Sequence, residues 1–94
     1  MPRYFMHLID STDVLLDPDG KEMPANAVER ATLNAARDCM CGDLNDGTLD
    51  LRYCIEVQDE KGAEVHRLAF SDAVQILHPE PRTDRQRGPL ILKG

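Results

Sequence analysis

The sequence predicts an α+β domain of order β-β-α-β-β. Its form is a four-stranded, mainly antiparallel sheet with one helix packed on one face, followed by a disordered C-terminal tail. Three observations predict it. The stretches 3–10 and 49–57 are rich in strand-favouring residues, and the second alternates apolar and polar side chains. An Ala-rich stretch, about 25–41, repeats its apolar residues at helical spacing. Turn residues at Asp17-Pro18-Asp19-Gly20 and around Gly62 fold neighbouring strand segments back as hairpins. Two hairpins joined by a helix close most simply into such a sheet.

The first strand is "RYFMHLID", 3–10, ending in the polar "DSTD". The second is the short "VLL", 14–16, stopped by the turn, where Asp17 can bond its own downstream backbone. The helix follows "KEMP". Asn26 is placed to cap it, with Glu29 at capping-box spacing, and Gly42 is placed to end it. At about 100° per residue, Val28, Thr32, Ala35, Ala36, Cys39 and Met40 fall on one apolar arc. Cys39 is therefore expected in the core and Cys41, on the far side, at the surface. Residues 42–48 read as a loop. Residues 49–57 read as the third strand, with Leu51, Tyr53, Ile55 and Val57 on one face and Arg52, Cys54 and Glu56 on the other. The partner strand is "VHRLAF", 65–70, and 71–77 extends it or forms a helical turn. This gives one domain over 1–77 and a flexible tail over 78–94 containing Pro79, Pro81 and Pro89.

Composition narrows the function. Ninety-four residues hold one core, built without Trp and with only two Tyr and two Phe. A chain this short buries only about 60–65% of its unfolded surface, so association with a second copy is a natural way to bury more. Residues 1–77 carry 7 basic and 15 acidic side chains, a balance of −8. That argues against nucleic acid as a partner, since phosphate neutralisation dominates such binding. No apolar run approaches the roughly 20 residues of a membrane span, and "MPRYFMHLID" does not read as a signal peptide. The odd count of three cysteines inside regular elements points to a reduced, cytoplasmic protein.

The opening "MPRYFMHL", the "DPDGKEMP" turn and "EVQDEKGAEVHRLAFSDAV" together resemble a known family. It comprises small alphaproteobacterial proteins of unknown function that begin M-P-R-Y-[FY]-F-H-[LV]. The resemblance spans about residues 1–75. Met6 stands where an aromatic is common, and the paired cysteines are outside the pattern. The resemblance brings no catalytic residues with it.

No nucleophile elbow, phosphate loop or zinc-protease motif is present, and no cofactor is indicated. Asp10, Asp13, Asp17 and Asp19 are dense but lack the order of a calcium loop, and turns use Asp for its own hydrogen bonds. Cys39 and Cys41 point about 200° apart on a helix and do not chelate one ion together. Two functional readings remain. In the first, the sheet face away from the helix, with Phe5, His7 and Ile9, is an interaction face. The protein is then a small non-enzymatic interaction or regulatory module acting as a homodimer, or binding another protein. In the second, His7, Cys54 and His66, with Glu56, share that face and make the protein a metal- or thiol-dependent sensor or enzyme.

Overall fold

The computed structural model describes residues 1–80; the remainder of the expected tail, 81–94, lies outside the described residues. The architecture is two-layered, one main helix over one face of an antiparallel sheet, as the strand and helix periods predict. Strand β1 (Arg3–Ile9) lies inside the sheet. On one side it pairs with β4 (Cys54–Gln58), which pairs in turn with β5 (Glu64–Ala69). On its other side lie two short strands in line, β2 (Val14–Leu15) and β3 (Lys21–Glu22). The order is β2-β1-β4-β5, with β3 sharing the β1 edge.

The sequence pattern misses β3, because Lys21 and Glu22 are both exposed and carry no alternation. The chain is returned to β1 by a bulge. Leu8 faces Leu15, but Tyr4 faces Lys21, so the edge strand has two residues more than β1 needs. Asp17 absorbs the excess. Its Oδ2 accepts the Met6 N–H at 3.1 Å, the bond a regular edge strand would have made. Its Oδ1 accepts the N–H groups of Gly20 at 3.1 Å and Asp19 at 3.3 Å. Gly20 has φ +67°, and a Cβ there would lie 2.8 Å from both the Phe5 ring and the Tyr4 carbonyl oxygen.

The helix differs from its expected bounds at both ends. A 3₁₀ turn, Ala25–Ala27, leads into α1 (Val28–Asn45), and neither start has a side-chain cap. Asn26 and Glu29 therefore do not form the expected capping box. Gly42 lies inside the helix, and Gly47 ends it instead. Gly47, at φ +89°, allows its N–H to reach Leu44 O at 3.0 Å and the Thr48 N–H to reach Asp43 O at 3.1 Å. These are the two bonds of a Schellman ending. The buried residues of α1 are Val28, Thr32, Ala36 and Met40, a strict i+4 row. Such a row drifts around the helix by about 40° per step, so the covered direction has moved well past Cys39 by the C-terminal turn. Cys39 is exposed, contrary to the core position expected for it, and Cys41 is exposed too.

The third predicted strand also starts late. Asp50 accepts the Arg52 N–H at 2.9 Å and holds the Arg52 guanidinium at 3.0 and 2.9 Å. This turns the chain at 51–52, and β4 begins only at Cys54. Leu49, Leu51 and Tyr53 still pack against the core from outside the sheet. Beyond β5 a single helical turn, α2 (Phe70–Ala73), tucks Phe70 and Ala73 under α1, where Ala73 O accepts from Arg37 Nε at 2.8 Å. The core is Tyr4, Met23, Val28, Ala36, Met40, Ile55, Val57, Phe70 and Ala73. Complete burial of side chains such as Val57 and Phe70 contributes about 1.5–3 kcal/mol each, which a core this small cannot spare.

Candidate functional site

Alternation along β1 sends Tyr4, Met6 and Leu8 toward α1 and Phe5, His7 and Ile9 to the opposite face. The register supplies their neighbours there. Phe5 faces Gln58, His7 faces Glu56 and Ile9 faces Cys54. One strand further, Gln58 faces Glu64, Glu56 faces Arg67 and Cys54 faces Ala69. The open face is therefore a grid of three rows: one mixed, one charged and one apolar.

The grid is less bare than a sheet with one uncovered face. His7 is only 9% exposed. Its ring stacks on Phe5 with centroids 6.5 Å apart, and its Nδ1 accepts the Asp17 N–H at 3.0 Å. An accepting Nδ1 carries no proton, so in this arrangement Nε2 is the ring N–H. Phe5 lies against Gly20. The chain's own bulge thus covers one corner of the second face. Asp17 is held in its ionised form. Burial opposes this, but the N–H groups of Met6, Gly20 and Asp19 hold its carboxyl below the ordinary value.

The charged row centres on Arg67. Its guanidinium bonds Glu64 at 2.9 and 3.3 Å, lies 3.7 Å from Glu56, and reaches Cys54 Sγ at 3.3 Å. The bond to Arg67 holds the Glu64 carboxyl below its usual value, and Arg67 is correspondingly raised. Sequence reasoning missed Arg67 as a member of this face. Its signal was the odd-numbered alternation that Arg67 shares with Ala69, which becomes readable only once Ile55 is known to face Leu68.

That same register removes His66 from the face. His66 sits opposite Val57, on the helix side, where it lines a groove of ≈ 310 Å³ with Glu29, Arg30, Leu33 and Leu68. His7, Cys54 and Glu56 share one face and His66 lies on the other, so the expected three-ligand metal set does not converge. Among the described residues no group of three potential ligands is placed to hold a metal. The acidic turns are likewise committed. Asp10 Oδ1 accepts the N–H groups of Thr12 and Asp13, both at 2.7 Å, and these bonds hold its carboxyl below the ordinary value. Among the described residues no helix is long and apolar enough to cross a membrane.

Residues 3–71 match the family described as Domain of unknown function (DUF6894). No curated protein matches the chain, and no solved structure does.

Proposed function

The chain belongs to the DUF6894 family, and from the geometry of its sheet we propose that it is a small non-enzymatic interaction or regulatory module. It acts as a homodimer through the open face of Phe5, His7 and Ile9. One observation carries the reading. The main helix covers one face of the sheet, while the other keeps Phe5, Ile9, Cys54 and Ala69 only half-buried around a charge-balanced row. Face-to-face packing of two copies would bury the apolar row and leave the Arg67 cluster at its rim, the usual anatomy of an interface. The same reading has neither nucleic acid nor membrane among its partners and places the chain in the cytoplasm. The −8 balance of residues 1–77 supports the first of these. The M-P-R-Y-F start supports an alphaproteobacterial origin. Sedimentation equilibrium across the micromolar range tests the dimer. The expected result is a two-copy mass that Ile9→Glu reduces to one copy with unchanged circular dichroism. A monomer at every concentration would refute it.

A further inference from the structure

The sheet has a second unpartnered surface, its β2 edge. Val14, Leu15 and Leu16 are 54%, 68% and 65% exposed, three aliphatic side chains in a row. Their backbone is available. Asp13 O turns inward to accept the Asp10 N–H at 2.9 Å, and Leu15 faces Leu8. The alternation of an antiparallel ladder then turns the Val14 N–H and C=O outward. Beside this edge lies a groove of ≈ 250 Å³ lined by Leu8, Asp13, Val14, Leu15 and Tyr53, of a size to take one aliphatic side chain. The opposite edge, β5, is blunted. Its register shifts between Val57 and Gln58, and Glu64 and Arg67 form an ion pair along it.

Charge decides the occupant. Asp13 and Asp17 flank the three aliphatics. If two copies paired antiparallel about Leu15, Val14 would face Leu16 and Asp13 would face Asp17 at both ends, and like charges directly opposed destabilise a ladder. Slipping the register by one sets an aspartate against an aliphatic. Acidic groups outnumber basic ones at this end, where Arg52 is held by Asp50 at 2.9 Å. Asp10 foremost, with burial and then Asp50, pushes the Tyr53 hydroxyl upward.

We propose that the β2 edge receives an extended segment of another protein by strand addition, the segment having aliphatic residues flanked on both sides by lysine or arginine. This goes beyond the dimer reading and uses the outward backbone of the β2 edge rather than the open face, the two adjoining where Val14 pairs with Ile9.

Fluorescence anisotropy with two labelled synthetic peptides tests it. One has Val-Ile-Val flanked by lysine pairs, the other the same centre flanked by glutamate pairs. The lysine peptide should bind about 10-fold or more tightly than its twin, from a few favourable cross-strand charge pairs. Val14→Pro removes only an outward donor, and Asp13→Lys reverses an exposed charge whose side chain makes no bond among the described residues. Each should erase the preference, and Ile9→Glu should keep it whatever the mass of the protein. If Val14→Pro fails to fold, Asp13→Lys alone decides. Equal binding of both peptides, binding of neither, or an Asp13→Lys variant that still prefers lysine would overturn the proposal. So would a self-dimer that the β2 substitutions dissociate.

Discussion

Replacing Asp17 by alanine should cost about 2.5–4 kcal/mol, more than any other single carboxylate on this surface. The magnitude follows from three bonds. The bond from the Met6 N–H at 3.1 Å is charge-assisted and partly buried, and its loss strands a donor the edge strand no longer pairs, about 1.5–3 kcal/mol. The bonds from Gly20 and Asp19 are more exposed and contribute about 0.5 kcal/mol each. In a domain this small, 1 kcal/mol moves the melting temperature by about 4–8 °C, so the loss should appear as a fall of roughly 10–30 °C. Asp17→Asn keeps one accepting oxygen without the charge and should lose about half as much. Asp19→Ala is the matched control, because the Asp19 side chain makes no bond among the described residues and should change stability by less than about 0.5 kcal/mol. Urea denaturation followed by circular dichroism measures all three. An Asp17→Ala protein as stable as Asp19→Ala would refute the account of the bulge.

The same carboxylate sets a pH dependence. Its folded pKa lies below the unfolded 3.8, so its stabilisation is complete above about 3.8 and is lost as pH falls through the folded value. Acid titrations should therefore show a steeper loss in the wild type than in Asp17→Asn. Gly20→Ala combines a left-handed backbone with a Cβ 2.8 Å from the Phe5 ring and the Tyr4 carbonyl, and should destabilise by about 2–4 kcal/mol in the same denaturation assay. Thr32→Val should be nearly neutral, within about 1 kcal/mol. The lost hydroxyl bond goes to Val28 O, which keeps its helical partner, and the shape is conserved. Cys39 is exposed at its surface side, yet partial shielding of its thiol and then Asp43 and Asp38 raise it, and it should react with a disulfide reagent at neutral pH more slowly than a free cysteine does.

The sequence made the layers legible because periodicity reports burial. Tyr4, Ile55 and Val57 alternate as core residues do, and Val28, Thr32, Ala36 and Met40 recur once per helical turn. What it could not report was decided by contacts between distant segments. Gly42 and Gly47 are equally good stop signals locally. The helix runs through Gly42, at a cost of about 1 kcal/mol relative to alanine, and ends where the carbonyls of Leu44 and Asp43 accept the N–H groups of Gly47 and Thr48. Strand β3 is invisible because it exists only through the Asp17 bulge, which needs the Met6 N–H and His7 Nδ1 from ten or more residues away. His66 was misplaced for a related reason. A strand's two faces can be separated from sequence, but which of them meets the helix depends on pairing with β4.

The edges of the sheet differ in how they are protected against association. A free strand edge is a hazard that charge, bulges and brevity reduce. Strand β5 has a bulge and an Arg67–Glu64 pair. Strand β3 continues the β1 edge with Lys21 and Glu22, both exposed and of opposite sign, and Arg3 binds Glu22 at 3.3 Å beside them. Strand β2, along that same edge, presents three consecutive aliphatic side chains, where β5 exposes the single Val65, and it is bounded at once by Asp13 and Asp17. Those two aspartates raise the cost of pairing with a copy of the same strand without capping the edge against a basic one. Brevity and charge therefore act here as a filter on the partner rather than as a block, and that distinction separates a protected edge from a recognition edge.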